Sequence, residues 1–165
     1  MARLKQLKGL TEFSTKLATL GQLSQINRVF KVALYDGAAV VADTLRQEIE
    51  SLPTGREYGT QDHPSATILP AQKRGLQDGM GIAEMKNNGE GWDTMVGFTG
   101  YNSVKTSYFP NGQPNAMIAA SVEGGTSTRQ RNAFITRALR QSREKANAAM
   151  AASADGQINQ IMEER

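Results

Sequence analysis

The chain has 165 residues, 39% of them hydrophobic, and 19 Lys and Arg against 16 Asp and Glu leave a formal charge of +3. That length suits one folded unit around one core. The absence of cysteine and the single histidine exclude disulfides, thiolate nucleophiles, thiolate-bound zinc or iron–sulfur and histidine-rich metal sites, and so small a charge does not by itself announce nucleic-acid binding.

The first residues are basic, but polar residues separate their leucines, so neither a secretory signal nor a lipidation signal is expected. Leu4, Leu7, Leu10, Phe13, Leu17 and Leu20 recur every three or four positions, the spacing of one helix face. Gly9 splits this stretch. Thr11 suits the N-cap of a helix to Leu20, Glu12 suits its positive end, and Gly21 stops it. The next helix has the strongest pattern. Ile26, Val29, Phe30, Ala33, Leu34, Gly37, Val40, Val41, Leu45, Ile49 and Leu52 make an apolar stripe, with Ser24 to cap it and Pro53 to close it. Lys31, Asp36, Gly37 and Asp43 interrupt the apolar run, which fits a core helix and not a membrane span. Gly37 costs about 1 kcal/mol against alanine in a helix interior, so a second backbone is expected to pack closely there.

Residues 53–79 carry Pro53, Gly55, Gly59, Pro64, Pro70, Gly75 and Gly79 and read as a long loop, with a short strand at 66–69. Gly81 to Lys86 reads as a strand, Asn88-Gly89 as a hairpin turn, and Trp92 to Phe98 as the returning strand, with Trp92, Thr94, Val96 and Phe98 on one face. A second loop spans 101–115, a strand spans 116–122, and Gly124-Gly125 ends it. Phe134, Ala138, Ser142, Ala146, Met150 and Ala154 then mark a final helix that Gly156 is expected to break, with a short turn at 158–162. Together these predict one α+β domain over residues 1–165: a small antiparallel sheet packed against long N-terminal and C-terminal helices, with long loops.

Catalytic patterns are sparse. Gly79-Met80-Gly81 lacks the third glycine of a dinucleotide loop, because Glu84 stands there, and reads as the approach to the hairpin. Asp62-His63 reads as a solvated loop pair, since neighbours in sequence rarely adopt triad geometry and no Gly-x-Ser-x-Gly elbow is present. Asp43, Glu48 and Glu50 read as a solvated helix face, and Glu163 with Glu164 as a terminal charge cluster. No enzyme activity, cofactor or metal is expected. The basic residues fall in two blocks, residues 1–35 and 129–145. In the second block Arg129, Arg131, Arg137, Arg140 and Arg143 suit either a phosphate-tracking surface or, more simply, a charge pattern that orients neighbouring copies in an assembly.

Leu7-Lys8-Gly9-Leu10-Thr11-Glu12-Phe13, the alanine-rich run around Ala38 to Ala42 and Pro53-Thr54-Gly55 stand in the order found in one known family. Val122-Glu123-Gly124-Gly125-Thr126-Ser127 and then Asn132 to Leu139 add a strand end, a turn and a helix entry of similar pattern. The sequence thereby resembles the tail-completion or head–tail joining proteins, the minor tail components of long-tailed bacteriophages. The resemblance implies a structural virion protein of the neck, assembled in the host cytoplasm, with no membrane association. Six copies would form a ring between the head-side connector or adaptor and the tail tube or tail terminator, and DNA would pass through it without specific binding. A tail terminator or connector adaptor ring of the same neck, or a basic nucleic-acid-binding module, is the alternative. Under this reading the assembly-interface candidates are Pro53, Thr54, Gly55, Glu123, Gly124, Gly125, Thr126, Arg129, Arg131, Arg137 and Arg140.

Overall fold

The computed structural model describes residues 23–87 and 91–163. The elements run α1 (Leu23–Ser51), α2 (Pro70–Gly79), β1 (Met80–Ile82), β2 (Lys86–Asn87), β3 (Trp92–Asp93), β4 (Val96–Phe98), α3 (Asn115–Gly124) and α4 (Phe134–Glu163). The fold is α+β, as the sequence predicts. The expected helix over 11–20, the Asn88-Gly89 turn and Glu164 lie outside the described residues.

The two long helices form an antiparallel pair. Glu48 meets Arg137 and Gln141, while further along Gly37 meets Ala146 and Met150. A Cβ on Gly37 would run into Met150, with the Ala146 carbonyl oxygen 3.3 Å away. The close approach expected at Gly37 is therefore present, and the helix-propensity cost is exchanged for tighter packing. The predicted stripe is buried at Val29, Ala33, Leu45, Ile49 and Leu52, and the core continues through Ile68, Leu76, Met80, Ile118, Val122, Phe134 and Ala138. Phe134 is wholly buried and meets Phe98 with ring centroids 6.2 Å apart, which fastens α4 to the β ribbon. Phe30 is the exception on the stripe, at 59% exposed.

The β region is one hairpin with an interruption. Met80, Gly81 and Ile82 pair antiparallel with Phe98, Gly97 and Val96, and Lys86 and Asn87 pair with Asp93 and Trp92. Between the two ladders Ala83, Glu84 and Met85 oppose only Thr94 and Met95, so the first strand carries one extra residue. That is a bulge, and it divides each predicted strand in two. Bonds from Ala83 N–H to Met95 O and from Thr94 Oγ1 to Ala83 O, both 2.7 Å, hold the kink. Along the return strand Trp92, Thr94, Val96 and Phe98 are more covered than Asp93 and Met95, in line with the expected alternation.

Four expectations are corrected. Residues 70–79 are a helix, not the end of a loop. Pro70 starts it, the Gln72 side chain accepts from Leu69 N–H at 3.2 Å, and Leu76 is fully buried. Gly75, read as loop punctuation, is instead a close approach, because a Cβ there would press on Asn102 and Asn115. Residues 116–122 are helical, not a strand. Ile118, Ala119 and Val122 bury one face while Ala116, Met117 and Ala120 are exposed. A short apolar run does not reveal its own period, and its alanines favour the helix. Gly156 does not break α4, which runs on to Glu163. Gly156 is exposed with nothing near it, so it costs propensity but not packing. The strand expected at 66–69 is reduced to a parallel bridge between Thr54 and Ile68.

Candidate functional site

The segment from Pro53 to Leu69 folds back on itself and is tied at both ends. Ile68 N–H donates to Pro53 O at 3.0 Å and Gly55 N–H to Ile68 O at 2.9 Å. Its middle is fastened to the turn between α3 and α4, where Ser65 N–H donates to Thr128 O at 3.0 Å and Gln130 N–H to Ser65 O at 2.9 Å. Thr126 and Arg129 close that turn by mutual backbone bonds, and Gly125 enters it with φ of 76°, a conformation that favours glycine.

Arg129 lies at the centre of this junction. Its Nη2 donates to Gln72 Oε1 at 3.0 Å and its Nη1 to Ser121 Oγ at 3.3 Å. Gln72, itself fully buried, donates from Nε2 to Gln113 Oε1 at 2.7 Å. One half-buried cation thus joins α2, α3 and both loops through neutral partners. Burial pushes the Arg129 guanidinium below its ordinary value, partly opposed by Tyr58. It still stays cationic at physiological pH. A small pocket of about 20 Å³ adjoins Arg129 and shares walls with a shallower cleft of about 500 Å³ bounded by Arg56, Tyr58 and His63.

Glu123, Arg131 and Arg137 are also bonded within the chain. Glu123 caps α4, accepting from Ile135 N–H at 2.7 Å, Thr136 N–H at 3.3 Å and Thr136 Oγ1 at 2.5 Å. Arg131 Nε donates to Glu123 O at 3.3 Å. Arg137 forms an ion pair with Glu48 at 2.9 Å and donates to Asn132 Oδ1 at 2.8 Å. Pro53, Thr54, Gly124, Thr126 and Arg140 are exposed, and Gly55 is half-buried. The five arginines from 129 to 143 therefore do not act as one free basic strip, since three are engaged inside the fold. Asp62 and His63 are exposed, and His63 backbone N–H donates to Thr60 Oγ1 at 3.1 Å, which makes the pair part of a tight turn.

Two features escaped sequence reasoning. The Gln72–Gln113–Arg129 cluster joins residues far apart in the chain, and no local pattern signals it. Only Pro70 with Gln72, a helix-start pattern, hinted at its first member. A cleft of about 760 Å³ also opens between α1, α4 and the hairpin, lined mainly by apolar residues including Phe30, Leu34, Trp92 and Met150. Trp92 forms its edge, donating from Nε1 to Asn27 Oδ1 at 3.1 Å beneath Lys31, whose Nζ sits 3.9 Å from the ring centroid.

The second loop is equally well tied. Tyr101 bridges Pro114, Asn102 N–H donates to Gln113 O at 2.9 Å, and Asn115 N–H donates to Gly100 O at 3.0 Å. It nevertheless displays Tyr101 at 68% and Tyr108 at 90% exposure, and Met95 beside the hairpin bulge reaches 71%. Among the described residues no three His, Cys, Asp or Glu side chains group to hold a metal ion, and no helix is long and apolar enough to cross a membrane. Compared with protein-family models, curated proteins and solved structures, the chain matches none.

Proposed function

We propose that this chain is a structural protein of a bacteriophage neck, one copy of a ring that joins the head connector to the tail tube and leaves a channel for DNA. The resemblance of its Val122–Leu139 segment to tail-completion proteins supplies the class, with the difference that Val122 stands near the end of a helix where the resemblance implies a strand end. The observation in the fold that supports the reading is the display of large apolar side chains on well-tied loops, with Tyr58, Tyr101 and Tyr108 all more than half exposed. An aromatic side chain buries about 150–250 Å² when covered. Held on loops already fixed at both ends, it loses little conformational freedom on docking. In this reading the work is shape complementarity between copies and with the layers above and below, and no chemical step is involved.

Light scattering on the purified chain together with cryo-electron microscopy of the particle neck tests this. A closed ring, and density for the chain between connector and tube, are expected. Tyr101→Ser with Tyr108→Ser should weaken the ring while leaving the thermal midpoint of the isolated chain unchanged. A chain that stays monomeric at all concentrations and is missing from the neck would refute the proposal.

A further inference from the structure

Arg129 is a half-buried cation with no paired anion among the described residues. Its two side-chain partners, Gln72 and Ser121, are neutral. The ion pairs among the described residues are Asp43 with Arg46 and Glu48 with Arg137, so none of the described carboxylates lies within pairing distance of Arg129. Charges removed from water are normally paired, and a guanidinium has five N–H donors to place. Gln72 is not free to turn away, because its Nε2 is committed to Gln113 and its Oε1 also accepts from Leu69 N–H.

The space beside Arg129 suits the missing charge. The inner pocket, about 20 Å³, has Tyr58, Ser65, Thr67 and Thr128 among its walls, all hydroxyl-bearing residues. That is the scale of one small polar group and not of a nucleotide. It continues into the wider cleft, whose walls add Arg56 and His63. Glu57 is the one carboxylate among the walls of the two, and Arg56 adds a second cation to the wider cleft.

We infer that Arg129 and the hydroxyl-bearing residues around it form a binding site for a single compact oxyanion, a carboxylate or a phosphate group, which enters past Arg56 and His63. The guanidinium supplies charge-assisted donors in a planar fork, and the hydroxyls complete the shell. The inference does not depend on the ring, since a free oxyanion would occupy the site in a single chain.

Nuclear magnetic resonance titration of the full chain tests it, following the Arg129 Nε signal and the backbone amides of Tyr58, Thr67 and Thr128. Sodium phosphate and sodium acetate are added in separate arms, each against sodium chloride at equal ionic strength. Saturable shifts confined to these signals are expected in at least one arm, and the arm that saturates tells phosphate from carboxylate. Arg129→Lys keeps the charge but loses the fork, and should bind about tenfold more weakly, the loss expected for one charge-assisted bond. Because Arg129 also joins structural elements, Arg56→Gln provides a second variant at an exposed position, with a smaller loss of affinity and an unchanged fold. Shifts that follow chloride alone, fail to saturate or persist undiminished in both variants would overturn the assignment.

Discussion

Glu123 offers the sharpest test of the physical account, because the family resemblance makes it an interface candidate and the fold places it at a helix end. Its carboxylate accepts from the N–H groups of Ile135 and Thr136 and from the Thr136 hydroxyl. These are the groups the first turn of α4 leaves without intrahelical partners. Removing such a cap costs about 0.5–2 kcal/mol, and a negative charge at the positive end of a helix adds about 0.3–1 kcal/mol. Ile135 N–H is partly buried and its bond is short, whereas water can replace the partner of the exposed Thr136. Glu123→Ala should therefore cost about 2 kcal/mol, lowering the midpoint of a chain this size by about 4–8 °C. Glu123→Gln keeps an acceptor for Ile135 and loses the charge, so it should lose about half as much. Calorimetry and urea unfolding measure both, with the urea slope unchanged. If the proposed ring forms, neither substitution should alter its size. A midpoint unchanged in Glu123→Ala, with assembly lost instead, would show that Glu123 serves an interface and that the cap is incidental.

Other consequences follow from the packing. Gly37→Val should destabilise by about 1–3 kcal/mol through overpacking against Met150, and Met150→Ala in the same chain should recover part of that loss in a double-mutant cycle. Phe134→Ala should cost about 3–5 kcal/mol, since the ring is wholly buried between α4, the core and Phe98. Near-ultraviolet circular dichroism and denaturant melts would register it. The Glu48–Arg137 pair is partly exposed, with the two side chains 12% and 44% accessible. A double-mutant cycle there should give no more than about 1 kcal/mol of coupling, weaker in high salt.

The parts of the fold that could be read in advance are those with a long period. The stripe from Val29 to Leu52 spans enough turns to declare itself a helix, and Pro53 marks its end. The hairpin was legible because alternation on one strand met turn residues at a fixed distance. What failed was short. Residues 116–122 offer too few positions to separate a period of two from one of 3.6. At 70–79 the glycines were read as loop signals, when Gly75 is there for a neighbour's side chain, an effect that belongs to tertiary contact. The bulge at Ala83–Met85 depends on pairing across the hairpin and has no local mark. The cluster around Arg129 was hidden for a related reason. Glutamines are ordinarily exposed, yet Gln72 and Gln113 are buried because they satisfy each other across 41 positions of sequence. Of the interface candidates, Glu123 belongs to the Val122–Ser127 motif and Arg131 and Arg137 to the basic block, and all three are bonded within the chain.

The antiparallel pairing of α1 with α4 has a bearing on how the chain is made. During synthesis α1 leaves the ribosome about 110 residues before Ala146 and Met150, the residues that Gly37 faces. At about 5–20 residues per second, the apolar stripe of α1 waits several seconds for its cover. Contacts between α1 and α4 also raise the mean sequence separation, which slows folding for a given size. Until then the positions that end buried, Val29 and Ala33 among them, stay open to other chains, and truncation before α4 should leave a product that aggregates instead of a smaller folded body.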